Sequence, residues 1–138
     1  MSTLAVPTQA TETGGISRRR AGRIVSAIPI AFLVFDTVIK FAGIQPVADS
    51  MTQLGWPLHL SLGIAVIEAV CLVAYLVPRT SILGAVLLTG YLGGAVATHV
   101  RVESPLFSHV LFPVYVAALL WGGLYLRDSR LGALLRRG

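Results

Sequence analysis

The chain contains four stretches of about twenty residues in which apolar side chains follow one another almost without a break, near Ile24–Phe41, Leu58–Val77, Ile82–Val100 and Leu106–Leu126. At about 1.5 Å of rise per residue, each is long enough as a helix to cross roughly 30 Å of hydrocarbon. No water is available at that depth for free peptide groups, so a spanning segment of this length must be helical. The expectation is an all-α fold, a four-transmembrane-helix bundle with short connections. Composition agrees. Of 138 residues, 55% are hydrophobic and 12% charged, with a mean hydropathy of +0.79, too little polar surface for a water-soluble monomer.

Local punctuation sets the boundaries. Gly43 and Pro46 stop the first span, and Pro57 enters the second, where its missing N–H costs nothing. Pro78 ends the second, and Thr80 and Ser81 stand where their hydroxyls would cap the free N–H groups of the third. The turn at Pro78–Ser81 is so tight that spans two and three must be antiparallel neighbours. Within the longer first connection, starting from Pro46, Val47, Met51 and Leu54 recur at the spacing of one helical face, which predicts a short amphipathic helix in the membrane interface. Residues 1–17 are small, polar and aperiodic and are expected to form a disordered tail. Residues 18–131 then make a single membrane domain, and residues 132–138 a basic C-terminal tail.

Arginine placement supplies an orientation. Arg18, Arg19, Arg20, Arg23, Arg79, Arg127, Arg130, Arg136 and Arg137 fall on one side of a four-span chain, leaving Lys40 and Arg101 for the other. Nine against two predicts that both termini and the Arg79 turn are cytoplasmic. A basic stretch before an apolar run also describes a leader peptide, and Arg18-Arg19 a twin-arginine signal. The first run is long for a leader, carries Asp36 and Lys40, and lacks a small-x-small cleavage site, so it reads as a span. The formal charge of +5 comes from arginines flanking apolar runs, where they act as topology signals, and nucleic-acid binding is not expected. Cys71 is the only cysteine, which excludes a disulfide framework, a CxxC redox pair and a cysteine-based metal site within one chain.

The polar residues inside the spans carry the functional information. Glu68 lies about ten residues into the second span, or roughly 15 Å deep, where an acid is expensive. Three readings stay open: a protonated acid bonded to Tyr91 or a backbone group, an ion pair with Lys40 or Arg101, or a proton-handling group. Asp36 precedes Lys40 by four residues, on one helical face and in the favourable order for an ion pair that orients the first span. Glu68, Asp36 and Lys40 are therefore the proton-handling candidates. In the four-span topology Asp36, Lys40, His99, Arg101 and His109 all gather in the outer half. Tyr91, His99, Arg101 and His109 are the ligand-binding candidates, because donors at the lipid boundary suit a quinone carbonyl or an anionic group. Pro113 adds to the cluster by freeing the carbonyl of His109 and bending the fourth span. His59, His99, His109 and Glu103 offer metal-binding chemistry, but no two of the histidines share the spacing of a helical metal motif, and no metal site is expected. Gly90 and Gly94 form a GxxxG pair, with Gly93 and Ala97 beside them, expected to admit close packing by another helix of the same chain.

LLTGYLGGAVATHVR at Leu87–Arg101, followed by SPLFSHVLFPVYVAALLWGGLYLRD at Ser104–Asp128, resembles the DoxX-like family of small four-helix membrane proteins. FDTVIKF at Phe35–Phe41 and IEAVCLVAYLVPRT at Ile67–Thr80 match the same pattern, so the resemblance covers about Arg20 to Leu131. The wider DoxX and DoxD superfamily includes a subunit of a thiosulfate:quinone oxidoreductase and proteins tied to membrane redox or oxidative-stress complexes. The resemblance thus implies a quinone-linked role in a bacterial cytoplasmic membrane. It places Asp36, Lys40, Glu68, Tyr91, His99, Arg101 and His109 at the family's polar intramembrane positions, and it assigns no catalytic residue.

The resulting expectation is a redox-associated membrane protein that binds a quinone or similar lipophilic molecule in a polar pocket of the outer leaflet. The sequence carries no flavin, haem or iron–sulfur motif, so electrons would come from a soluble or membrane redox partner. Two alternatives stand beside it: a non-catalytic membrane anchor or subunit of a larger complex, and a small transporter with Glu68 on its path. Against transport, spans one and two contain no broken-helix pair and the chain no repeat.

Overall fold

A computed structural model describes residues 12–138, among which there are helices and no strands. Helix α1 spans Glu12–Ala42, α2 Gln45–Gln53, α3 Ser61–Leu76, α4 Ser81–Arg101, α5 Phe112–Arg127 and α6 Ser129–Arg137. Four helical stretches are long and apolar enough to cross a membrane: Ser17–Ala42, Leu58–Leu76, Ser81–Arg101 and Leu106–Arg127. They coincide with the four runs of the sequence. The disordered tail expected over residues 1–17 lies, for residues 1–11, outside the described residues, and Glu12 to Ser17 are already the start of α1.

Helix α1 packs on α5 and α3, and α4 closes the ring by packing on α3 and α5. Leu33, Tyr75, Leu88, Leu120 and Leu124 are fully buried along its axis. The outer faces carry Ile24, Ile28, Phe35, Val38, Ile67, Val70, Val73 and Val86, all exposed. Apolar surface on that scale is an aggregation hazard in water and the proper complement of acyl chains in a bilayer. The molecule is an integral, multi-pass membrane protein.

Close helix approach is made by glycines that the sequence pattern did not single out. A Cβ at Gly84 would fall 2.1 Å from the Tyr75 backbone nitrogen, so α4 leaves the tight turn with its backbone against α3. On the other side of the bundle, a Cβ at Gly123 would meet Ser26 Oγ at 2.1 Å, and one at Gly22 would meet the Gly123 carbonyl oxygen at 2.8 Å. The spacing of Gly22 and Ser26 is the small-xxx-small pattern that lets membrane helices touch. Gly90 and Gly94 behave otherwise. Nothing lies within 4 Å of a Cβ at either, so the GxxxG pair is not a helix contact within this chain. Its small residues border open space.

Two other local expectations change. Thr80 and Ser81 do not cap α4; Thr80 Oγ1 donates to the Ala74 carbonyl at 2.7 Å and Ser81 Oγ to the Val77 carbonyl at 2.9 Å. The Thr80 hydroxyl satisfies a carbonyl left free by Pro78, the Ser81 hydroxyl adds a second donor to a carbonyl that already accepts the Thr80 N–H, and both tie the turn from the preceding side. The fourth span is not one helix bent at Pro113. It opens with a wide turn over Leu106–Val110, in which the Val110 N–H reaches the Pro105 carbonyl at 3.2 Å and the Leu111 N–H the Leu106 carbonyl at 2.9 Å. Helix α5 then restarts with Pro113 in its first turn, where a missing donor costs nothing.

Helix α2 has Pro46 in its first turn and buries Val47 and Met51. Gly43 at φ +64 and Gly55 at φ +72 flank it, backbone conformations that favour glycine and fold α2 back over the bundle end.

Candidate functional site

An ammonium group has three N–H bonds, and that of Lys40 finds three acceptors. It donates to Asp36 Oδ2 within α1, to Glu68 Oε2 on α3 at 2.8 Å and to Tyr91 Oη on α4 at 2.9 Å. The Tyr91 hydroxyl in turn donates to Glu68 Oε2 at 3.1 Å. Three helices are thus joined at one point. The four-residue spacing in α1 sets Asp36 beside Lys40, and the long lysine stem carries the charge inward to Glu68, which is fully buried. Of the open readings for Glu68, the structure contains the ion pair with Lys40 and the hydrogen bond from Tyr91 together. Glu68 Oε1 has no partner among the described residues. The cluster holds two carboxylates to one ammonium, so a single added proton would bring it to neutrality.

Beside this cluster lies a cavity of about 520 Å³ bordered by α1, α2, α3, α4 and α5. Its walls are mainly apolar: Phe32 and Ile39 from α1, Val47 and Met51 from α2, Trp56 after it, and Phe112 and Pro113 from α5. Gly90 and Gly94 form the bare backbone of the α4 side. Asp36, Lys40, Tyr91 and His99 are the polar groups that reach the wall among the sequence candidates. Glu68 does not line it and communicates with it through Lys40 and Tyr91.

The remaining candidates are elsewhere. Arg101 donates from Nη2 to the Leu54 carbonyl at 2.6 Å and its guanidinium lies 5.8 Å from the Trp56 ring centroid. It pins the chain leaving α2 rather than lining the cavity. His99 and His109 meet edge to face with ring centroids 5.8 Å apart, His99 bonded to Ser104 and His109 to Ser108. His109 does not line the cavity. Among the described residues no three His, Cys, Asp or Glu side chains are grouped to hold a metal ion.

Sequence reasoning passed over a second polar chain toward the arginine-rich end. Arg127 Nε donates to Ser26 Oγ at 3.3 Å, Ser26 stands 3.3 Å from Tyr75 Oη, and Tyr75 donates to the Leu120 carbonyl at 2.7 Å. The Arg127 guanidinium also sits 4.9 Å from the Tyr75 ring centroid. Ser26 and Tyr75 are as buried as the core leucines. The signal available was the rule that a hydroxyl buried in a span needs a partner. The apolar cavity wall had a fainter one, the amphipathic face of α2.

Fold and site together define a small polytopic helical membrane protein with a charged cluster and an adjoining apolar cavity at one end of its bundle. The DoxX-like family model matches residues 24–123, and the chain belongs to that family. No curated protein and no solved structure matches it.

Proposed function

We propose that this protein binds a lipophilic molecule with a hydrogen-bonding ring head, of the quinone class, and serves membrane redox chemistry. The observation that carries the reading is the meeting of a large, mostly apolar cavity with the saturated Lys40 cluster at its wall. Pockets of this size with a few convergent polar groups are typical of small-molecule sites. Phe32, Trp56 and Phe112 offer ring surfaces, His99 offers an imidazole at the wall, and a carbonyl oxygen that docks beside the cluster would draw one Lys40 N–H away from its present acceptors. Turning a quinone into a quinol takes up two electrons and two protons. The excess carboxylate of the Asp36–Lys40–Glu68 group is suited to hold one of those protons, and the electrons come from a redox partner. With both termini in the cytoplasm, as the arginine distribution favours, the cavity opens in the outer half of a bacterial cytoplasmic membrane.

Trp56 makes the proposal measurable. The chain has two tryptophans, so Trp121→Phe leaves Trp56 as the only indole, at the cavity wall. A short-chain quinone added to this variant in detergent should quench its fluorescence saturably. Lys40→Met should weaken that binding about tenfold, the value of one charge-assisted hydrogen bond, and Gly94→Leu should abolish saturation by filling the cavity. Quenching that rises linearly with quinone and is the same in both variants would overturn the reading.

A further inference from the structure

At the arginine-rich end, the start of α1 and the elbow between α5 and α6 enclose a second cleft of about 220 Å³. Arg18, Arg19, Arg127 and Arg136 line it, with Asp128 as the one carboxylate among the lining residues. That carboxylate is engaged. It accepts from Arg130 Nη2 at 2.8 Å and Nε at 3.2 Å and from the Arg130 backbone N–H at 2.9 Å, and these bonds hold its pKa below the ordinary carboxylate value. Asp128 therefore stays ionised and caps α6, and its side-chain hydrogen bonds go to Arg130, with Arg127 as a weaker neighbouring charge.

The cleft arginines are held in place by neutral partners. The Arg18 guanidinium lies 5.0 Å from the Tyr125 ring centroid and donates to the Tyr125 carbonyl at 3.4 Å. Arg136 Nε donates to the Gly132 carbonyl at 3.2 Å, and Arg127 Nε to Ser26. Each of these contacts uses one of five guanidinium N–H bonds and cancels no charge. An electropositive cleft with oriented, forked donors is what a phosphate group requires.

Helix α6 supplies the second half of the argument. Its Leu131 is buried, whereas Leu134 and Leu135 are exposed beside Arg136 and Arg137. Arg130 fastens the helix beneath the α3–α4 turn by donating to the Pro78 and Arg79 carbonyls. A short helix with exposed leucines on a strongly basic background, fixed at the end of membrane spans, fits the boundary between headgroups and acyl chains. A free phosphate would use only the arginines; a phospholipid uses both features.

We propose that this cleft is a binding site for an anionic phospholipid of the leaflet at the arginine-rich end, with its headgroup phosphate among Arg18, Arg19 and Arg136 and its acyl chains along Leu134 and Leu135. The site is independent of the cavity at the other end of the bundle.

The test is native mass spectrometry of the full-length protein in neutral detergent, titrated with phosphatidylglycerol, phosphatidylcholine or inorganic phosphate. Phosphatidylglycerol should bind with a defined stoichiometry, phosphatidylcholine at least about tenfold more weakly, and the triple variant R18Q/R19Q/R136Q should lose that preference, each arginine contributing severalfold near a charged surface. R20Q/R23Q removes charge from the same end but from residues outside the cleft, and should keep most of the preference. Thermal unfolding in neutral detergent checks that both variants remain folded. Equal binding of the two lipids, an equal loss in R20Q/R23Q, or displacement of phosphatidylglycerol by inorganic phosphate at matched concentration would each overturn the proposal.

Discussion

Lys40 spends every donor it has on Asp36, Glu68 and Tyr91, and this saturation explains how so much charge is tolerated inside an apolar bundle. Removing one partner from such a group is worse than removing several, because the penalty comes from the charge left behind. Lys40→Met should therefore destabilise the protein by about 3 kcal/mol, as two neighbouring carboxylates lose their common counter-charge. Adding Glu68→Gln in the same chain should restore part of that loss, an interaction energy that reversible unfolding in detergent would read as a double-mutant cycle. Strict additivity of the two changes would count against a coupled cluster. The sequence announced Glu68 by its depth and the Asp36–Lys40 pair by its spacing, since both depend on positions along single helices. It left the partner of Glu68 open among Tyr91, a backbone group, Lys40 and Arg101, because that choice depends on how α1 and α4 rotate against α3.

Elements packed by glycine show the same division between what a pattern states and what a neighbour decides. GxxxG at Gly90 and Gly94 is the more obvious small-residue motif, yet the tight crossings run through Gly84 against α3 and through Gly22 and Gly123 between α1 and α5. Small spacing licenses contact without saying which face will be used. Gly84→Ala should push α4 off the α3 backbone at a cost of about 1–3 kcal/mol, the usual toll of overpacking. Gly94→Ala meets nothing and should be neutral or stabilising by up to about 1 kcal/mol through helix propensity. Thermal melts of the two variants side by side would test this assignment, and a larger loss at Gly94 would reverse it. The prolines divide in the same way. Pro46 and Pro78 bound their elements as a missing donor dictates, while Pro113 starts a helix after a wide turn instead of kinking a continuous one.

At the scale of the whole molecule, the four spans were legible because bilayer thickness and backbone hydrogen bonding leave few alternatives, and the contact of α3 with α4 because their turn is tight, whereas the packing of α1 on α5 and α3 was not. The cavity was not, because it arises where α2 folds over the ends of α1, α4 and α5, and no single segment encodes that gap. Orientation rests on the arginine bias, and it can be checked directly. With the buried Cys71 replaced by Ala, a membrane-impermeant maleimide should label Gln53→Cys in intact bacterial cells and Gly138→Cys only after permeabilisation. The converse pattern would move the cavity to the cytoplasmic leaflet. The uncovered backbone at Gly90 and Gly94 has a broader implication. A hollow walled by residues without side chains can be narrowed one methyl at a time while the surrounding scaffold is spared, so under the proposed function substitution at these two positions would set the girth of the guest admitted.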